Sequence, residues 1–132
     1  MLVKDIMTKK EVLAVLPQMA TVRDALKTMR ERKIKSIIMD KSNPNGAYGL
    51  LTFKNILQAI VAEDGDIDLL NVYDIASSPA VSVSRDLDIK YAAKLMVNNS
   101  IKRVLVIDNN ELYGIVTMSD IIGVLMEEVD SH

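Results

Sequence analysis

Apolar residues recur along this chain with two periods. Between residues 21 and 33, Val22, Ala25, Leu26 and Met29 stand three and four apart with charges between them, which predicts a helix. Thr21, with Asp24 three residues on, is suited to cap that helix. Ser36-Ile37-Ile38-Met39 is a short apolar run of strand length. Ser42-Asn43-Pro44-Asn45-Gly46 predicts a turn, with Asn45-Gly46 the strongest hairpin signal in the chain, and residues 47–51 read as the returning strand. A second helix is expected over 52–63, with Ile56, Leu57, Ile60 and Val61 as its apolar stripe. Glu63-Asp64-Gly65-Asp66 interrupts the pattern, and the plan then repeats. A helix is predicted over 87–99 with Ile89, Ala92, Ala93 and Met96 inward, then a strand over 104–107. Asp108-Asn109-Asn110-Glu111 reads as a turn, followed by a strand over 112–116 and a helix over 119–128. A short extended piece precedes each set, at 12–16 and 80–83.

The repetition extends to individual residues. Tyr48-Gly49-Leu50-Leu51-Thr52 returns as Tyr113-Gly114-Ile115-Val116-Thr117. Val22, Ala25, Met29, Ile34 and Ile37 return as Ile89, Ala92, Met96, Ile101 and Val104. Val22 and Ile89 are 67 residues apart, and Thr52 and Thr117 are 65 apart. A period near half the chain length predicts two similar structural units and two similar clefts between them.

Composition narrows the possibilities. With 132 residues, 49% of them hydrophobic, there is enough apolar side chain for a core, yet neither half would bury much surface alone, so mutual packing of the repeats is expected. The net charge of −2 argues against broad nucleic-acid binding. The chain has no cysteine, which removes disulfides, thiolate metal sites and a thiol nucleophile. Its first residues show no signal-peptide pattern, and no apolar run reaches the roughly 20 residues of a membrane span, so a soluble, cytoplasmic protein is expected.

Val3-Lys4-Asp5-Ile6-Met7-Thr8, then an extended segment, helix and strand, then Gly114-Ile115-Val116-Thr117-Met118-Ser119-Asp120-Ile121-Ile122, together resemble a CBS domain pair, or Bateman module. The resemblance covers essentially the whole chain, and the second repeat carries it more closely than the first. It implies an α+β fold of tandem β-α-β-β-α repeats packed with pseudo-twofold symmetry, here repeat 1 over 1–63, a linker over 64–70 and repeat 2 over 71–132. It also implies binding of adenine nucleotides or related adenosyl compounds such as S-adenosylmethionine, dimerisation, and a regulatory rather than catalytic role. The length leaves no room for a further domain, so a stand-alone module is expected.

Thr117 and Asp120 lie three apart at the predicted start of a helix, where backbone N–H groups are unpaired and attract anions. The carboxylate of Asp120 offers acceptors suited to ribose hydroxyls. Through the resemblance, Asp120 would grip the ribose, Thr117 would face the phosphate and Ser119 would add a polar contact. Lys102 and Arg103 stand where the family often places a basic residue on phosphate. Thr8, Ala14 and Ser36 would border this principal cleft. The other cleft would be lined by Thr52, Asn55, Ser77 and Val81. There Asn55 replaces Asp120 and Ser36 replaces Arg103, so charge is lost on both sides and the cleft is expected to be weaker or empty, with Lys54 (in place of Ser119) as partial compensation. Thr-x-x-Asp is equally an ordinary capping pattern, and the two roles can coexist.

Other features carry less. Glu63, Asp64, Asp66 and Asp68 lack the spacing of a calcium loop and read as a solvated linker. The only histidine, His132, is the last residue and suits a disordered tail. No nucleophile–base pair or glycine-rich phosphate loop is present, so an enzyme is the weakest reading. The eight methionines suit irregular core packing rather than a partner groove. The helices around 53–62 and 119–127 carry more apolar side chain than one face can bury, which points to a homodimer. The rival to ligand sensing is a ligand-independent dimerisation or scaffold protein with vestigial clefts, acting on an unidentified protein target.

Overall fold

A computed structural model describes residues 1–130; His132 lies outside them. Among the described residues there are six α-helices and seven strands, divided between two compact units. Unit 1 joins Met1–Val12 to the chain from Val81 onward, and unit 2 is Leu13–Ala80. The compact bodies therefore do not follow the sequence repeats. The opening dozen residues pack with the second repeat.

Unit 2 contains β2 (Val15–Leu16), α2 (Val22–Arg32), β3 (Ser36–Met39), β4 (Gly49–Thr52), α3 (Phe53–Ile56) and α4 (Val72–Ile75). Its sheet has the order β2-β3-β4, with β2 parallel and β4 antiparallel to β3. Thr21 caps α2 as expected: its hydroxyl accepts from the Asp24 N–H at 3.1 Å, and Asp24 accepts in return from the Thr21 N–H at 3.0 Å. The helix stops at Lys33, a left-handed residue whose N–H reaches back to the Met29 carbonyl. Val22, Ala25 and Met29 form its buried stripe, and the core adds Ile37, Met39, Leu51, Ile56 and Val72. Beyond α3 the backbone widens into a π-helical turn over Leu57–Ala62. Ile56 and Ala59 are buried there, while Leu57 and Val61 are exposed. The expected stripe is thus corrected, because it assumed 3.6 residues per turn and π geometry shifts which residues face inward.

Unit 1 contains α1 (Val3–Ile6), β1 (Thr8–Lys9), a 3₁₀ turn over Lys10–Val12, β5 (Ser82–Val83), α5 (Ile89–Asn98), β6 (Arg103–Asp108), β7 (Glu111–Thr117) and α6 (Met118–Asp130). Its sheet has the order β1-β7-β6-β5. Val3, Val83, Ala92, Met96, Val104, Val106 and Val116 form its core. Asp108 accepts from the Arg85 N–H at 3.1 Å and from Arg85 Nε at 2.8 Å, and the Arg85 guanidinium lies 3.9 Å from the Tyr113 ring centroid.

The two hairpins invert the expectation drawn from Asn45-Gly46. β3 and β4 are joined by the broad loop 40–48, and no glycine among the described residues has a positive φ. β6 and β7 are instead joined by Asn109-Asn110 alone, with φ of 51° and 59°. Positive φ at both central residues is the type I′ requirement, which asparagine meets more readily than other non-glycine residues. No helix among the described residues is long and apolar enough to cross a membrane.

Candidate functional site

In unit 1 the end of β7 runs directly into α6, and this junction gathers most of the residues singled out from the sequence. Arg103, the first residue of β6, is the register partner of Thr117. The Met118 N–H donates to the Lys102 carbonyl at 3.0 Å, tying the helix start to the start of β6. On the other side of β7, Thr8 of β1 pairs with Ile115. That approach requires Gly114, where a Cβ would collide with the Thr8 carbonyl.

At the junction, Asp120 Oδ2 accepts from the Thr117 N–H at 2.8 Å and the Asp120 N–H donates to Thr117 Oγ1 at 3.2 Å. The capping reading of Thr-x-x-Asp is therefore correct. It leaves Asp120 Oδ1 without a hydrogen bond among the described residues. Thr117 and Asp120 are half-buried, and Ser119 and Lys102 are exposed. An open groove of about 400 Å³ starts at this junction, with Asp5 and Ile6 of α1 facing Ser119, Asp120, Gly123 and Val124 of α6. The side of Gly123 where a Cβ would stand is open space.

Unit 2 holds the matching junction with different chemistry. Ser36 is the register partner of Thr52, as Arg103 is of Thr117. Ser77 bridges to Leu50, as Thr8 does to Ile115. Asn55 stands where Asp120 stands, but its groups are used locally. Its Oδ1 accepts from the Thr52 N–H at 2.8 Å and from the Thr52 hydroxyl at 3.0 Å, and its Nδ2 donates to Ser77 Oγ at 3.3 Å. The hydroxyl that accepts from backbone in unit 1 here donates to an amide, and no carboxylate is present.

The sequence-derived residues fall into two groups. Thr8, Lys102, Arg103, Thr117, Ser119 and Asp120 share unit 1; Ser36, Thr52, Asn55 and Ser77 share unit 2. Ala14 is a buried core residue of unit 2 whose carbonyl accepts from the Ile38 N–H. Val81 is an exposed residue of unit 1 whose carbonyl accepts from the Leu105 N–H. Sequence reasoning missed α1 and α4 as elements. Val72-Tyr73-Asp74-Ile75 repeats Val3-Lys4-Asp5-Ile6, and that echo was the signal. The repeat also explains the unit boundaries. The helix opening the first repeat is hydrogen-bonded to residues just before α5, and the helix opening the second to residues just before α2 (Val3 N–H to Leu87 O, 2.8 Å; Val72 N–H to Ala20 O, 2.8 Å).

Comparison with known proteins agrees with this duplicated plan. The model of the CBS domain family matches residues 3–62 and again 72–127. The uncharacterised protein MK0525 of Methanopyrus kandleri is 34% identical over 119 residues, which is 88% of this chain and 59% of that protein. The chain therefore spans about three fifths of that relative's length. The hexameric CBS-CP12 protein from bloom-forming cyanobacteria is 32% identical with a TM-score of 0.84, covering 92% of this chain and 69% of that one. PAE2072 of Pyrobaculum aerophilum, a CBS domain protein solved in complex with AMP, is 22% identical with a TM-score of 0.81, covering 96% of this chain and 97% of that one. With both repeats matched and the same fold recurring in these structures, the chain belongs to the CBS domain family as a tandem pair.

Proposed function

We propose that this chain is a non-catalytic sensing module that binds an adenosine-containing compound at the β7–α6 junction of unit 1. The observation that carries the reading is the state of Asp120: one carboxylate oxygen holds the helix cap, while the other faces no protein donor among the described residues. A charged acceptor held in that way suits a pair of ribose hydroxyls, since bonds to an ionised acceptor are roughly twice as strong as neutral ones. The start of the thirteen-residue α6, with Arg103 across from Thr117 and Lys102 beside it, suits a phosphate. AMP bound to PAE2072 gives the ligand class a precedent among proteins of this fold.

The unit 2 junction binds more weakly or not at all, because Asn55 is committed to Thr52 and Ser77 and Ser36 supplies no guanidinium. The module acts as a homodimer. Phe53, Leu57 and Val61 in unit 2, and Ile122, Leu125, Met126 and Val129 on α6, are large apolar side chains left exposed at helical spacing. A ligand with different affinity for two arrangements of such an assembly would transmit its presence to a partner.

Calorimetric titration of the chain with AMP, ADP, ATP and S-adenosylmethionine tests the reading. One dominant site per chain is expected, weakened about tenfold or more by Asp120→Asn, which keeps the cap geometry and removes the charge. No heat with any of the four compounds would leave the scaffold reading standing, and two equal sites would refute the asymmetry.

A further inference from the structure

Unit 2 carries opposite charge at the two ends of α2. At the helix's C-terminal end, Arg30, Lys33 and Lys35 are exposed, with Arg32 beside them and Glu31 as the one acid in that stretch. At its N-terminal end the chain returns through Glu63, Asp64, Asp66 and Asp68. This acidic segment is fixed there: the Arg23 N–H donates to the Ile67 carbonyl at 3.0 Å, the Val22 N–H donates to the Leu70 carbonyl at 2.9 Å, and Arg23 Nη2 pairs with Asp68 at 2.9 Å. Glu63, Asp64 and Asp66 are exposed.

These two ends cannot neutralise each other within one molecule. Eleven residues of α2 separate them, a rise of about 16 Å at roughly 1.5 Å per residue. That exceeds the screening length of about 8 Å at physiological salt. The helix macrodipole accounts for only part of the pattern. It favours acids in the first turn, such as Asp24, and bases in the last, such as Arg30 and Arg32, and it fades within one turn. It supplies no reason for Lys35 beyond the helix, or for acids contributed by a different segment of chain.

We infer that the basic end of α2 is a docking surface for the acidic 63–68 segment of a second copy of this chain. Each contact joins unlike surfaces and every copy carries one of each, so the contact can repeat from copy to copy and build assemblies larger than the homodimer. It is separate from the apolar helix surfaces assigned above to the homodimer, and it does not depend on ligand.

Sedimentation velocity on the whole chain over a concentration series at 20 mM and 500 mM NaCl tests the inference. The expected result is a weight-average mass that climbs with concentration at low salt and falls to a fixed value at high salt. Two variants each disable one end. Arg30→Glu/Lys35→Glu reverses the basic surface. Glu63→Lys/Asp64→Asn/Asp66→Asn removes the acidic one while keeping a residue suited to left-handed φ at 64 and a side-chain acceptor at 66. Each variant alone should lose the salt-sensitive growth, with an unchanged thermal melt showing that it is folded. An equimolar mixture should regain salt-sensitive growth, since each variant supplies the end the other lacks. Growth that ignores salt, persists in either variant, or fails to return in the mixture would overturn the inference. None of these results bears on nucleotide binding, which is read separately by calorimetry.

Discussion

Asp120 and Asn55 differ by one atom, an oxygen in place of a nitrogen, yet they hold their junctions in different ways. The carboxylate spends one oxygen on the Thr117 N–H; the amide is engaged on both sides, by Thr52 and by Ser77. Asn55→Asp should therefore reverse the Ser77 contact, with the hydroxyl now donating to a carboxylate, and supply the missing charge, raising affinity at the unit 2 junction, seen as calorimetric stoichiometry moving from one ligand per chain toward two. A stoichiometry that stays at one would show that the missing Arg103 counterpart, not the missing charge on residue 55, is what disables that junction. Acidity acts at this scale as well. The Arg85 N–H, joined by the Ser84 hydroxyl, holds the Asp108 carboxyl below its ordinary pKa; the Arg23 guanidinium does the same for Asp68, and the Thr21 N–H and hydroxyl for Asp24. A carboxyl lowered in the folded state contributes stability that is complete above its unfolded pKa of about 3.9 and disappears as pH falls through the lower folded value. Urea midpoints should accordingly decline from about pH 5 downward, and Asp108→Asn should flatten that decline.

Elements show which parts of the fold were legible in advance. The stripe Val22, Ala25, Met29 and its echo Ala92, Met96 are buried because each helix runs ten residues or more, long enough for a 3.6 period to register. α1 and α4 have four residues each, too few to show any period. The π-helical turn after α3 misplaced Leu57 and Val61 because periodicity assumes the very geometry that changes there. Turn chemistry ranked the hairpins wrongly for a related reason. Asn-Gly is favoured wherever φ must be positive, but the 40–48 loop is long enough not to need it, whereas the two-residue connection at Asn109-Asn110 does. Replacing Asn110 by isoleucine should cost about 1–3 kcal/mol, because a β-branched side chain is strained at positive φ, and Asn110→Gly should be neutral or stabilising. Chemical denaturation of the two variants distinguishes them. The pairing of Thr117 with Asp120 and the placement of Arg103 were legible because capping and strand register are local. Which compact body Ala14 and Val81 would join was not, since that depends on contacts far apart in sequence.

For the whole molecule, the telling boundary is the one that sends Met1–Val12 into the same body as the second repeat. Val3 is fully buried in that core, and β1 completes its sheet along the outer side of β7. Gly114→Ala should expel β1 by setting a methyl group against the Thr8 carbonyl. Amide hydrogen exchange would then show β1 and α1 losing protection while α2 and β3 keep theirs.

Synthesis runs from the first residue to the last, so the opening dozen residues leave the ribosome long before the strand they must pair with has been made. Leu13–Ala80 meets all of its own partners first and can settle into shape early. During that interval β1 is a single strand with bare amides, and the step that completes unit 1 is the late docking of β1 along β7.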